Sequence, residues 1–155
     1  MPEFEVQIIE SQQTFLSALA FELYELDLNY FPTPWTIESW ETLFLNHDRS
    51  LFLLNYNKKI MGFILFEKSV ADSFAHLIKI LIHPDIRSKG HSKNFLNKAI
   101  FHLESLNCSN LFLEVEESNT AAQKLYLSVG FKAIHVKKHF YGTNRSAIIM
   151  TRDHS

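Results

Sequence analysis

The segment His76 to Leu106 carries the strongest chemical signal in this chain. It reads as an apolar run, H-L-I-K-I-L-I-H-P, a basic turn, D-I-R-S-K-G-H-S-K, and an amphipathic run beginning N-F-L-N-K-A-I-F. The apolar run stops at His83-Pro84, and the spacing predicts a helix that begins close to Gly90. Several backbone N–H groups must then point into one concavity beside Arg87, Lys89, His91 and Lys93. The first N–H groups of a helix lack internal partners, and its N-terminus carries roughly half a positive charge. With flanking cations and a glycine that permits close backbone approach, this arrangement is a phosphate cradle. The competing reading of the same cations is a solvated basic face.

Other chemistry-bearing residues are fewer. Glu114 lies among Leu111, Phe112, Leu113 and Val115, where a carboxylate is costly unless it faces a wet cavity. Tyr126 by itself reads as a core aromatic whose hydroxyl bonds a backbone group. Cys108 is the only cysteine, so no intrachain disulfide and no C-x-x-C site can form, and it reads as a neutral filler. The eight histidines show no metal-ligand spacing, so no metal is expected.

These residues must be positioned by one domain, residues 1–155, since 155 residues suffice for a core without disulfides or metal. Apolar content of 46% with 14 phenylalanines argues against disorder. A formal net charge of −2 argues against direct nucleic-acid binding. No run approaches the ~20 apolar residues of a membrane span. The start M-P-E-F-E-V lacks the basic and apolar regions of a signal peptide. A cytoplasmic protein is expected.

The periodicity gives strands over Phe4–Ile9, Ser50–Tyr56, Lys59–Glu67, Phe74–His83 and Leu111–Glu116. N-K-K joins the second and third as a hairpin. Ser11 is placed to cap a helix carrying Phe15, Leu16, Leu19, Leu23 and Leu26 on one face. Pro32 and Pro34 break it, and Thr36 with Ser39 offers a cap for a short helix to about Leu45. A helix runs to about Leu106, and another from Asn119 to Val129 is closed by Gly130. Phe131–Tyr141 and Arg145–Thr151 form a closing hairpin around Gly142. This order gives an α/β fold: a mixed sheet with helices on both faces.

Three segments together resemble the GNAT superfamily of N-acetyltransferases. They are R-S-K-G-H-S (Arg87 to Ser92), L-F-L-E-V-E-E-S-N-T-A-A-Q-K-L-Y-L-S-V-G-F (Leu111 to Phe131), and the F-P-T-P-W loop with a terminal A-I-I-M strand. Within the superfamily the set is most similar to the ribosomal-protein alanine N-acetyltransferase group. The resemblance implies a mostly antiparallel sheet with a splayed strand pair that holds acetyl-CoA, the acetyl donor. It implies that Arg87, Ser88, Lys89, Gly90, His91, Ser92 and Lys93 cradle the pyrophosphate. The backbone of Ile80, Leu81 and Ile82 would pair with the pantetheine arm, and Asn119 would hydrogen-bond it. Glu114 would accept the amine proton, and Tyr126 would protonate the leaving thiolate. A backbone N–H near Leu81 would stabilise the oxyanion.

The chain departs from the pattern in two places. Ser92 stands where the superfamily usually has Gly or Ala, and a positive φ there would weaken or alter CoA binding. Arg145-Ser146 stands where the alanine group often has an acidic pair, in a hairpin shorter by about three residues. The acceptor groove is expected between the F-P-T-P-W loop and this hairpin, with Glu25, Asp27, Glu38, Glu116 and Glu117 making its rim negative. A protein α-amine has a pKa of about 7.7–8.0 against about 10.4 for lysine, so deprotonating lysine costs roughly 3 kcal/mol more. One glutamate with a tyrosine therefore suits a protein N-terminus as acceptor. A small-molecule amine, a lysine side chain and a CoA-binding module without turnover are the alternatives.

Overall fold

The structure, a computed structural model, describes residues 3–87 and 89–153. Strand β1 (Phe4–Ile9) is followed by a 3-10 turn at Gln12–Thr14, helix α1 (Ser17–Tyr30) and helix α2 (Ile37–Glu41). Ser11 does not cap α1. Its hydroxyl meets that of Thr14 at 3.2 Å, and Gln12 bonds the backbone of Glu41 and Phe44. These local bonds close a single 3-10 turn, so the helix starts six residues later. Thr36 does cap α2, its Oγ1 accepting from the Ser39 N–H at 3.1 Å. That helix ends at Glu41, short of Leu45.

Strands β2 (Arg49–Tyr56) and β3 (Lys59–Ser69) are joined through Asn57 and Lys58, both at positive φ (51° and 63°). Two such residues make the turn whose twist matches a hairpin. After β4 (Phe74–Ile82) and a 3-10 turn at Pro84–Ile86 comes α3 (His91–Ser105). Then follow β5 (Asn110–Glu116), α4 (Thr120–Ser128), β6 (Lys132–Lys137) and β7 (Ala147–Arg152). The last hairpin is paired over a shorter length than the alternation suggests. His139, Gly142 and Asn144 all take positive φ, which interrupts the ladder.

The strands form one sheet in the order β1-β2-β3-β4-β5-β7-β6. Every neighbour is antiparallel except β4 with β5. Both faces of the central strands are buried. Leu51 and Leu53 join Leu23, Trp40 and Phe63 on the α1–α2 side, while Phe52 and Leu54 join Phe95, Leu96 and Leu113 on the α3–α4 side. Burial on both faces explains why these strands read as continuous apolar runs.

The feature that positions the site is the short contact between β4 and β5. Only Phe74, Ala75 and His76 pair, with Asn110, Leu111 and Phe112, and beyond them the strands part. Just there β4 carries an extra residue: Leu65 faces Lys79 and Phe66 faces Leu77, leaving Ile78 without a partner on β3. Such a bulge bends the strand and increases its twist, which turns β4 away from β5.

Helix α3 is tied to the sheet at its far end by a charge cluster. Glu10 accepts from Lys68 Nζ (2.7 Å), Ser50 Oγ (2.6 Å) and His102 Nε2 (2.9 Å). Burial acts to raise the pKa of this carboxyl, but those hydrogen bonds and the Lys68 charge outweigh it and hold the pKa at about 2. A lowered carboxylate pKa stabilises the fold fully above the ordinary value of 4.5, and the contribution fades as pH falls from there toward about 2. Glu10→Gln is expected to lose about 1–3 kcal/mol at pH 7 by denaturant unfolding. The gap to the parent protein is expected to narrow as pH falls below 4.5, and a gap independent of pH between 7 and 3 contradicts the assignment.

Candidate active site

The parting strands open a cleft of about 690 Å³ between β4, β5 and the N-terminal ends of α3 and α4. Its β4 wall has an identifiable edge. The His83 N–H donates to the Met61 carbonyl at 2.8 Å, directly opposite in the β3–β4 register. Hydrogen-bonded pairs alternate along an antiparallel ladder. The polar backbone groups of Leu81 therefore turn toward β3, and those of Ile80 and Ile82 face the cleft. The Leu81 side chain also packs away, in the α1–α2 core. Ile80 and Ile82 line the cleft and Leu81 does not, so the oxyanion donor expected near Leu81 is not available from that residue. Alternation along the ladder cannot be read from sequence without the register.

At the lower end of the cleft, Gly90 begins α3 at φ +81°, and a Cβ there would meet nothing within 4 Å. The glycine is needed for its backbone angle and leaves open approach to the first turn. Ser92 is the second residue of α3, inside the helix and outside the positive-φ set, so the steric penalty anticipated for serine does not arise. Ser92, Lys93 and Arg87 line the cleft with Gly90. Arg87 Nε donates to the Ile82 carbonyl at 2.9 Å, satisfying one group of the open edge.

The remaining cradle candidates are placed differently. Lys89 does not line the cleft, and its ammonium reaches the Asp85 carbonyl at 3.4 Å. His91 packs its ring on Phe4 (centroids 4.2 Å apart), away from the cleft. Ser88 lies outside the described residues. Asn119 caps α4, its Oδ1 accepting from the Ala122 N–H at 3.1 Å, and lines the cleft.

At the upper end stand Glu114, Tyr126 and Tyr141. Glu114 projects from β5, and its Oε2 lies 2.5 Å from His76 Nε2. A carboxylate only accepts, so Nε2 of His76 carries the hydrogen. Burial of Tyr126, reinforced by Tyr141, pushes its phenol well above the usual tyrosine range. Burial raises Tyr141 too, with the charges of Glu114 and Glu116 adding to it. Both hydroxyls thus remain protonated near neutrality, as donors.

The wall of the cleft formed by Phe31, Thr33 and Trp35 is built on a buried ion pair. Lys79 Nζ donates to Asp27 Oδ1, and Asp27 Oδ2 accepts from the Trp35 N–H (2.8 Å) and Trp40 Nε1 (3.0 Å). The ammonium lies over the rings of Phe31 (4.1 Å) and Trp35 (4.9 Å). Burial lowers the Lys79 pKa and Asp27 opposes that change. Asp27 thereby fixes the loop whose Phe31, Thr33 and Trp35 wall the cleft. Opposite, Arg145 Nε and Nη2 both donate to Glu116 Oε1 (2.8 and 2.5 Å). The negative rim is correspondingly weaker than the acidic residues suggest: Asp27 is buried against Lys79, and Glu116 is paired.

Sequence reasoning passed over His76, Lys79 and Tyr141. Lys79 left a trace, since a lysine inside I-K-I-L must be paired or costly. Tyr141 left none, because only the folded hairpin brings it over Glu114.

A cleft between splayed strands, with an open backbone edge, a helix N-terminus below and a carboxylate with two phenols above, defines a site for transfer from an extended, anionic carrier. Residues 20–131 match the acetyltransferase (GNAT) family. The chain is 36% identical to the ribosomal protein bS18-alanine N-acetyltransferase of Haemophilus influenzae, covering 87% of this chain and 93% of that one. Its counterpart from Haemophilus ducreyi is 33% identical over 83% and 89%. The crystal structure of the ribosomal-protein-S18-alanine N-acetyltransferase from Escherichia coli superposes with a TM-score of 0.81 at 25% identity, covering 96% and 94%. The chain belongs to the acetyltransferase (GNAT) family, and it is an N-acetyltransferase.

Asp27→Ala leaves Lys79 buried without its partner, and breaking a buried pair in this way costs about 3–5 kcal/mol. Denaturant unfolding is expected to show that loss, with tryptophan emission changed because Trp35 and Trp40 both lose a hydrogen bond. A loss below 1 kcal/mol contradicts the role given to Asp27.

Proposed function

We propose that this enzyme uses acetyl-CoA to acetylate the N-terminal α-amine of a protein, with the N-terminal alanine of a small-subunit ribosomal protein as the first candidate. The relatives named for that reaction on bS18 support the substrate, and a ribosomal substrate implies a cytoplasmic enzyme. The observation that carries the reading is the open edge of β4 facing Glu114 across the cleft.

The residues present fit the donor. Ile80, and the N–H of Ile82, face the amide-bearing arm in the manner of an added strand, the Ile82 carbonyl being taken by Arg87. The first turn of α3, with Gly90, Ser92 and Lys93, offers N–H groups, a hydroxyl and a cation to the diphosphate. Asn119, whose Oδ1 is engaged as the cap of α4, offers its amide N–H to the arm. Bound acetyl-CoA supplies a thioester activated toward an amine. Glu114 accepts the proton of the attacking amine, and amides on the open β4 edge face the oxygen on which charge develops. Tyr126, kept protonated by burial, gives a proton to the leaving sulfur. An α-amine, with a pKa of about 7.7–8.0, asks only a modest base of Glu114.

Glu114→Gln and Tyr126→Phe are each expected to lower kcat by about 10²–10⁴ on a peptide beginning with alanine, with acetyl-CoA affinity by calorimetry nearly unchanged. Mass spectrometry of protein N-termini, in cells with and without the gene, identifies the acceptor. Wild-type turnover in both variants removes the assigned roles. Acetylation of a polyamine or a lysine, with no reaction at N-terminal alanine, replaces the acceptor and leaves the chemistry standing.

A further inference from the structure

We infer that His76 is a positioning residue for the reaction, holding Glu114 so that one carboxylate oxygen is committed and the other is presented to the acceptor amine. The inference rests on the reading of Glu114 as the base. His76 is the last residue of β4 paired with β5, opposite Phe112. Its imidazole lies flat on the Phe112 ring (centroids 4.2 Å, planes 10° apart). Two residues further along β5, on the same face, Glu114 meets it at 2.5 Å. The ring is therefore held from one side by stacking and at its end by a charge-assisted bond, which removes its freedom to turn.

The consequence falls on Glu114. Its Oε2 is engaged by His76, while its Oε1 accepts no hydrogen bond among the described residues, and Glu114 lines the cleft. His76 itself does not line the cleft, so it acts through Glu114. This geometry resembles a base oriented by a third group, with the roles of imidazole and carboxylate exchanged. It needs the strand splay: His76 stands at the last point where the strands touch, and Glu114 lies two residues past that point on β5.

The groups facing His76 are Glu114 from β5 and Glu67 from β3, its direct register partner. Glu67 is already engaged by His47 (2.6 Å) and Arg49 (3.4 Å). Tyr141 approaches Glu114 from the β6–β7 connection. No lysine or arginine contacts either member of the pair among the described residues.

The test compares His76→Ala, His76→Gln and Glu114→Gln with the parent enzyme, with both substrates saturating. His76→Ala is expected to lower kcat by about 10- to 100-fold, as a misplaced catalytic group does, with the KM for acetyl-CoA unchanged. His76→Gln keeps an N–H near the position of Nε2 and is expected to recover most of that loss. Wild-type kcat in His76→Ala, or His76→Gln as slow as His76→Ala, overturns the inference. Ring ¹⁵N shifts of the parent enzyme decide independently of variant folding: a proton on Nε2 is expected, and a lone Nδ1–H tautomer overturns it. If Glu114→Gln turns over normally, the base assignment itself fails. If Glu114→Gln is inactive while His76→Ala is normal, only the positioning role fails.

Discussion

After three paired residues, β4 and β5 lose each other, and the polar groups along the exposed stretch of β4 must find other partners. Buried backbone N–H and C=O groups are almost never left unmet. Arg87 takes the carbonyl of Ile82, and the remaining groups of the Ile80–Ile82 edge face a cleft shaped for an extended ligand. The bulge at Ile78 is what turns the strand aside. The position of α3 follows from the same event. The chain leaves the end of β4, turns through Pro84–Ile86, and enters the helix with its first turn at the mouth of the opening.

Charge around the reaction end is arranged in pairs. Glu114 meets His76, Asp27 meets Lys79, and Glu116 meets Arg145. The three pairs differ in what they do because they differ in burial. Asp27 and Lys79 are almost wholly excluded from water, so their interaction is strong but offset by desolvation, and its effect is to hold the Trp35 loop in one place. Glu116 and Arg145 are more exposed and contribute little to stability, but they brace the β6–β7 connection on which Tyr141 sits. The Glu114–His76 pair lies between these extremes in burial. Beside these pairs the cleft wall is largely aromatic: Phe31, Trp35 and Tyr141.

Much of this was legible in order along the chain. The strands and helices follow from local periodicity, caps and turn residues, and the helix start expected close to Gly90 falls there. The capped start of α2 at Thr36 and the hairpin at Asn57-Lys58 were legible for the same reason, since each depends on residues within three or four positions. Ser11 misled because its hydroxyl had a nearer partner in Thr14. The outer ends of the β6–β7 hairpin were overestimated because three left-handed residues interrupt alternation that otherwise continues.

The sequence by itself determined the element order and a sheet with helices on both faces, because these rest on patterns that repeat over a few residues. Glu114 and Tyr126 stood out only through the family resemblance of a motif kept contiguous. Only the tertiary structure decided that Leu81 turns toward β3 and Ile80 and Ile82 toward the cleft, since the phase of hydrogen bonding depends on register with a strand some twenty residues away. It alone joined His76 to Glu114 across 38 positions and Asp27 to Lys79 across 52. A side chain's partner across the sheet is set by how strands pair and part, and no local pattern encodes that distance.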